Sequence, residues 1–468
     1  MSLIIPSLLF IPLLFAILTY VFQKYAQMLG VLFVFLWLLL TLIASISVVY
    51  EGELLYNFGG FAPPLGISFR IDGLRSLMAL LSAFILLICS IYARVYLLAS
   101  LQRDYFPLLA FLTLGISVLF FSTDIFNQYI ALEIIGISAV ALSALQKDKK
   151  SIDAALRYFF ATLIGSGFYL FAVALLYLRY GTLFIDDLAL LIENDFVTTI
   201  AFIFIVVGLS LKTALFPLHY WLPSAHSNAT TPISALLSAL VVKTGFFLLF
   251  SLYGELFWGI DLFVGKTLSY LGIVAIFYGG IQAFFAKDLK LMIAYSTISQ
   301  LGYLFLLFVL FSPMAIEGAF LGLFGHSLAK AGMFLSAGTL IYALGTRKIS
   351  DFKGISFVFP LSIFAIALSS ITLIGLPPSL GFFAKWYYLQ SAWMQQEWLL
   401  FSALLLGSLL SALYLFRFLI LSLGSQGERR IFVKEKKIKI LEWCGFILSL
   451  SSVLLGMFSY ALTKMMGI

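Results

Sequence analysis

The sequence predicts an all-α polytopic membrane protein with about fourteen transmembrane helices, and three observations predict it. Of its 468 residues, 63% are hydrophobic and 10% charged, with a mean hydropathy of +1.10. A soluble domain, at roughly 25% charged, could not hide that much apolar surface from water. Apolar runs close to the ~20 residues that span a bilayer follow one another from end to end and leave no room for a soluble domain. The Lys and Arg residues between the runs favour alternate connections, as the orientation of a multi-spanning chain requires.

The runs cover approximately 3–21, 28–50, 72–99, 105–122, 125–145, 152–180, 197–222, 229–253, 262–285, 289–311, 314–344, 357–394, 398–423 and 440–462. The first has neither a positively charged start nor a small-residue cleavage site, so it reads as a retained helix and not as a removed signal. Cys89 and Cys444 are the only cysteines, and each lies inside an apolar run, so no zinc or iron–sulfur ligand spacing exists. No cofactor or metal is expected on this chain, and any electron chemistry must sit on another. The net charge of +7 could suggest nucleic acid, but the basic residues fall in short loops, where they are a topology signal.

With the N-terminus outside, the odd-numbered connections are cytoplasmic. They hold Lys24, Arg94, Arg103, Lys147, Lys149, Lys150, Lys287, Lys290, Arg347, Lys348, Lys353 and a cluster of six between Arg429 and Lys439, 17 of the 28 bases. The opposite side holds only Arg70, Arg75, Arg179, Lys266 and Lys464, beside an acidic set that includes Glu53, Asp72, Asp124, Asp186, Asp195 and Glu255. Because Lys and Arg in short loops resist translocation, this 17-to-5 bias puts both termini on the outer side of a cytoplasmic-type membrane. The Arg429 to Lys439 cluster reads as a topology anchor, with anionic lipid or a cytoplasmic partner as the alternative. Arg157 and Arg417 lie near helix ends, where a long side chain can snorkel to water.

Lys212, Lys243, Lys330 and Lys385 remain, well inside the spans, with Glu133 as the one acid similarly placed. At roughly 2.5 to 3.5 kcal/mol per mid-membrane charge, five such groups left unpaired would cost about 10 kcal/mol or more, too much for decoration. A buried charge responds to its neighbours, so each site's protonation state is set by the next one's, as a proton relay needs.

The segment LKTALFPLHYWLPSAH sets Lys212 about a turn and a half before Pro217, which cannot donate to the helix ladder and breaks the seventh span. LIGLPPSLGFFAKWYYLQ repeats the pattern in the twelfth span, where Pro377 and Pro378, with Gly375 and Gly381, make the break and Lys385 follows it. Freed carbonyls of this kind bind water or a cation only where they line a protein cavity. Two interrupted spans five helices apart mark an inverted repeat of helices 4–8 and 9–13. The expected organisation is therefore 1–104 for helices 1–3, 105–253 and 254–423 for the two repeats, and 424–468 for the basic loop and helix 14. Lys243 lies in the eighth span. His326 and Lys330 stand four residues apart, on one face of the eleventh, which suits His326 to a central relay.

Plainer readings stand beside these. Glu133 can be half of a structural ion pair, His326 a satisfied core histidine, and Lys330 or Lys385 a snorkelling side chain. His219 and His226, near the first break, can be proton uptake groups or loop hydrogen-bonders.

At these residues the chain resembles the antiporter-like membrane subunits shared by respiratory complex I, membrane-bound hydrogenases and Mrp-type multisubunit cation/proton antiporters. The resemblance runs from about Asp72 to Leu423 and is strongest in KTALFPLHYWLPSAHSNATTPISALLSALVVKTG, supported by KDLKLMIAYSTISQLGY, GHSLAKAGMFLSAG and LIGLPPSLGFFAKW. It implies that Glu133 pairs with Lys212, that Lys243 and His326 form a central hydrophilic axis, and that Lys385 faces the far half-channel or the next subunit. His326 with Lys330, and lysine at Lys385, look closest to the D-type Mrp subunit. Ser224 departs from the family pattern, which has an acid after WLP, and the long lateral helix of the largest relatives is not expected beyond helix 14.

The resulting expectation is a proton or sodium/proton translocating subunit, with no redox chemistry of its own, that serves as the ion-pumping part of a larger complex. Its partners would be other membrane subunits, further antiporter-like ones among them, a peripheral redox arm and lipid, but no nucleic acid. A freestanding inverted-repeat carrier of a small organic substrate is the alternative, although the breaks are flanked by lysines in apolar surroundings. A membrane-embedded transferase ranks last, because the short loops offer no catalytic cluster.

Overall fold

The chain folds as a bundle of membrane-spanning helices, seen in a computed structural model that describes residues 3–259, 262–424 and 435–467. Arg429, Arg430 and Lys434, three of the six bases of the Arg429 to Lys439 cluster, lie outside the described residues. In chain order the helices are α1 (Ile4–Val21), α2 (Ala26–Glu51), α3 (Gly73–Tyr96), α4 (Ala99–Phe121), α5 (Ile125–Ser143), α6 (Lys149–Tyr180), a short α7 (Ile185–Leu191) and α8 (Phe196–Lys212). After the first break come α9 (Leu222–Asn228), α10 (Thr231–Leu236), a π turn (Leu237–Val241) and α11 (Val242–Leu252). Next are α12 (Leu262–Phe285), α13 (Leu289–Phe305), α14 (Leu307–Leu310), α15 (Pro313–Leu344) and α16 (Pro360–Ile374). Beyond the second break lie α17 (Leu380–Met394), α18 (Trp398–Leu423), α19 (Glu435–Leu454) and α20 (Ser459–Met466).

Each of the expected apolar runs holds helix. Among the described residues, twelve spans are long and apolar enough to cross a membrane, and two shorter apolar helices, α8 and α16, accompany them. Those two are the runs that the prolines interrupt. One departure from an all-α reading is a small hairpin between α2 and α3, with β1 (Leu54–Asn57) antiparallel to β2 (Ser68–Ile71) and Leu54 opposite Ile71.

Many helix starts are fixed by a side-chain cap. Asp72, Asp124, Asp148, Asp195 and Asp288 each accept a hydrogen bond from the backbone N–H three residues on, which satisfies one of the donors left over at a helix start. Several acids in the outer set thus serve as caps.

The connections sort onto two faces. On one, Arg70 bridges Glu53 (2.9 Å) and Asp186, Arg75 bridges Asp72 and Glu255, and Asp124 pairs with Phe184 in an isolated bridge. On the other, Lys147 meets Asp104 (3.0 Å), Asp288 pairs with Lys348, and Arg347 donates to the Ser227 carbonyl (2.9 Å). Even-numbered connections meet even and odd meet odd, as an alternating path through a bilayer requires. Arg75, expected on the outer side, is buried there under its two acids.

The centre of the bundle is Thr231–Phe257, 94% buried over its most apolar stretch, and Leu289–Leu310, 89% buried, with α15 against them; α1, α2 and α18, at 39%, face outward. The most enclosed span carries Lys243, and Lys330 stands on α15, 78% buried over its most apolar stretch and packed against that centre.

Candidate functional site

Lys212 ends α8 where the helix meets the first break. Its ammonium donates to Thr162 Oγ1 of α6 (2.7 Å) and, at 3.5 Å, to the Leu132 carbonyl of α5. Small residues make room for it. A Cβ on Gly165 would come within 2.9 Å of the Gly208 carbonyl and 3.4 Å of Lys212 Cγ, so α6 and α8 approach this closely only with glycine at the crossing. Glu133 is half-buried beside Leu132, with Oε1 sealed from solvent and unpartnered among the described residues. It is an electrostatic neighbour of Lys212 but forms no ion pair with it. The two are close without being bonded.

The bundle centre holds Lys243, His326 and Lys330, all buried. Lys243 donates to the carbonyl of Ser238, which lies within the π turn, and the Ser238 hydroxyl is hydrogen-bonded to Thr297 Oγ1 (3.0 Å). Thr297 in turn donates to the Ile293 carbonyl (3.0 Å), and Lys330 donates to that same carbonyl (3.0 Å) and to Ser296 Oγ. A continuous hydrogen-bonded run through α13 therefore joins the two lysines. His326 has neither ring nitrogen hydrogen-bonded among the described residues. It lines a cavity of about 30 Å³, room for one or two waters, together with Gln300, Tyr303, Thr372, Lys385 and Tyr388.

Lys385 follows the second break. Pro377 and Pro378 carry no N–H, and an α-helical ladder would have taken those two donors to the Leu373 and Ile374 carbonyls. Lys385 Nζ supplies what is missing, donating to Leu373 O (3.0 Å), Ile374 O (2.9 Å) and Ser408 Oγ of α18 (3.0 Å), with the Tyr303 ring centroid 4.4 Å away. Gln300 Nε2 donates to the same Leu373 carbonyl (3.1 Å) and to Ser411 (3.2 Å), so α13 is tied to this site. The lysine turns inward to the break.

Near the first break, His226 is fully buried with both ring nitrogens unpartnered among the described residues and its ring edge-on to Phe334 (5.8 Å). His219 stacks on Phe216 (5.3 Å) and meets Tyr278 (4.8 Å). Ser224 donates to the Trp221 carbonyl (3.2 Å).

Lys290, assigned from sequence to a cytoplasmic connection, is buried at the first turn of α13 and donates to the Ala229 carbonyl (2.6 Å). It belongs with the enclosed cations. Its position at the second residue of the span gave no sequence signal, since it follows Lys287 and Asp288 in a charged run. Thr162, Gln300 and Ser408 were missed likewise, although the polar string Ser296, Thr297, Ser299 and Gln300 in an otherwise apolar span marks α13 as interior.

Fold and site together define a multi-pass membrane protein whose cationic side chains lie inside the bundle, two of them at helix breaks. The chain belongs to the family described as NADH:quinone oxidoreductase/Mrp antiporter, TM, whose model matches residues 122–411. It is an antiporter-like membrane subunit of that family. It is 37% identical to the N subunit of the NADH-quinone oxidoreductase of Desulforudis audaxviator, over 77% of this chain and 74% of that one. It is 26% identical to the D subunit of the Na(+)/H(+) antiporter of Alkalihalophilus pseudofirmus, over 86% and 82%. Among solved structures, a chain of the archaeal membrane-bound sulfane sulfur reductase superimposes with a TM-score of 0.92 at 27% identity, covering 100% of this chain and 96% of that one. The fold also matches a chain of the Mrp complex from Dietzia sp. DQ12-45-1b, with a TM-score of 0.89 at 21% identity over 100% and 97%.

Proposed function

We propose that this chain is the proton-translocating, or sodium/proton-translocating, subunit of a multisubunit energy-transducing membrane assembly. It stands there beside further antiporter-like subunits and lipid and, in a redox-driven assembly, below a peripheral arm that carries the electron chemistry. One observation carries the reading: buried ammonium groups run through the bundle centre, joined by hydroxyls and carbonyls and accompanied by no carboxylate ion pair among the described residues. A charge held by dipoles alone answers to the charges beside it.

Glu133 and Lys212 form the switch. When a neighbour in the assembly draws Glu133 away, Lys212 loses its counter-charge and its proton passes toward Lys243, Lys330 with His326, and Lys385. Moving one charge through 100 mV involves roughly 2.3 kcal/mol, a scale that the making or loss of one such pair can gate. His219, His226 and Lys290 line the uptake side. The two inverted repeats, 105–253 and 254–423, are supported by recurrent packing, α4 on α5 as α12 on α13, and α6 on α8 as α15 on α16 and α17. The two-faced sorting of the connections supports both termini lying on one side, and the Lys and Arg bias favours the outward one.

Replacing Lys212 or Glu133 with alanine abolishes ion pumping in reconstituted vesicles while the altered chain still assembles. Full pumping by either variant would reject the assignment.

A further inference from the structure

The second break has the makings of a cation site already occupied by a tethered cation. Three neutral oxygens, from Leu373, Ile374 and Ser408, converge on Lys385 Nζ at 2.9–3.0 Å, and an aromatic face closes a fourth side. Neutral carbonyl and hydroxyl oxygens with an aromatic ring are what a monovalent cation takes in exchange for its water. Divalent ions want carboxylates, and no acid pairs with Lys385 among the described residues. The site also has two approaches. Lys385 lines both the small cavity it shares with His326 and, together with Ser408, Gly375 and Trp386, a groove of about 320 Å³ open at the surface of the chain.

At the first break no lysine among the described residues folds back on the break carbonyls. There the Ser210 carbonyl accepts from Leu215 N and the Leu211 carbonyl from Ala214 N and Trp221 Nε1, and Lys212 reaches to other helices, whereas at the second break only the Leu373 carbonyl has a further donor, Gln300 Nε2, among the described residues.

We propose that the Leu373, Ile374 and Ser408 oxygens form a binding site for an alkali cation, which it shares in mutual exclusion with the protonated Lys385 side chain. The exchange balances: the ammonium gives up one proton to become the neutral amine, and one Na⁺ or K⁺ takes its place among the oxygens. One positive charge leaves as one arrives, and the break never holds two. This rests on the reading of Lys385 as a member of the ion relay and adds a second ion to it. The other titratable groups facing Lys385 are few. Tyr303 comes from α13 and His326 from α15, with Glu317 further along that helix beside Tyr387. Tyr414 comes from α18, and Tyr388 from α17 itself. The α16 helix has no titratable side chain, and Glu442 of α19 is engaged at its far end by Ser362.

The test uses the purified full chain, with binding of Na⁺ and K⁺ measured by equilibrium dialysis and by thermal stabilisation over choline chloride at equal ionic strength. In the wild type, cation affinity rises about tenfold per pH unit up to the pH at which Lys385 loses its proton, as one-for-one competition demands, and levels off above it. Lys385→Ala binds the cation with no such pH dependence, and adding Ser408→Ala weakens that binding about tenfold. A wild type whose cation binding is absent or flat with pH overturns the proposal, as does Lys385→Ala stabilised no more by NaCl or KCl than by choline. Should Lys385→Ala fail to fold, the wild-type pH series and Ser408→Ala alone decide it. Proton pumping by Lys243→Ala in vesicles separates the two readings: retained pumping sinks the proposed relay, whereas lost pumping with no cation competition sinks this site alone.

Discussion

The two helix breaks look alike in sequence and are wired differently in space. At the first, Lys212 closes α8 before the break and reaches across to Thr162 and Leu132 on neighbouring helices, in the electrostatic range of Glu133. At the second, Lys385 follows the break and folds back on carbonyls that Pro377 and Pro378 leave without donors. A lysine held by other helices reports their movement. One held by its own break is a local cradle that stays intact when neighbours shift. The first is suited to receive a signal from an adjoining subunit, and the second to hold or pass on an ion.

The contrast can be broken from either side. After the loss of pumping expected from Lys212→Ala and Glu133→Ala, the next largest effect belongs to Gly375→Ala. Gly375 has φ of +90°, and an added Cβ would lie 2.7 Å from Lys385 Cδ. A side chain in a left-handed conformation costs roughly 1–2 kcal/mol, and here it also pushes the lysine off its carbonyls. Transport by Gly375→Ala in vesicles falls by an order of magnitude or more while assembly is kept. Unchanged transport would mean that Lys385 does not need the break. Thr162→Val is the matching change at the first break. It keeps the shape but removes the hydroxyl that Lys212 uses, at a cost of about 1–3 kcal/mol for an unsatisfied charged donor. About tenfold slower transport is expected, with no change in the cation response of Lys385, and an altered cation response would show the breaks to be one unit.

The sequence made the bundle legible because apolar runs and proline breaks are strong, local signals; α8 and α16 are short where Pro217 and Pro377 said they would be. The hairpin at Leu54–Asn57 and Ser68–Ile71 was not legible, since two four-residue strands around a Gly- and Pro-rich turn carry no period that stands out beside long helices. Asp72, Asp124 and Asp195 stand out in the sequence only as charges on one side, although an acid just before an apolar run is also a cap signal. In the site, lysines far from any run boundary are easy to single out. Their partners are not: Thr162, Ser238, Gln300 and Ser408 are ordinary polar residues until the fold brings them to an ammonium. Lys290 escapes a sequence reading because it is the second residue of its run, where only the packing of the Ala229 segment over it separates a loop charge from a buried one.

The smallest effect concerns how each broken helix begins. The start of α8 is capped locally, with Asp195 Oδ1 accepting from Thr198 N (2.8 Å) and Oδ2 meeting Arg179 Nε (2.7 Å). The start of α16 borrows its carboxylate, Glu442 of α19, whose Oε1 accepts from Ser362 N (3.2 Å) and Ser362 Oγ (2.9 Å). The Thr198 N–H and the Arg179 guanidinium favour the ionised form of Asp195 and hold its pKa down at about 2. Because this value lies below that of the unfolded chain, the stability it contributes is complete above the ordinary carboxylate range and is lost as pH falls through about 2. Asn also caps helices well, so Asp195→Asn keeps the acceptor and removes only the charge. Its melting temperature should lie slightly below that of the wild type at neutral pH, less so in high salt because the pair is solvent-exposed, and the two curves should merge near pH 2. A gap that stays constant down to that pH would mean that the cap works through geometry alone and that the start of α8 is no more sensitive to charge than a neutral cap would make it.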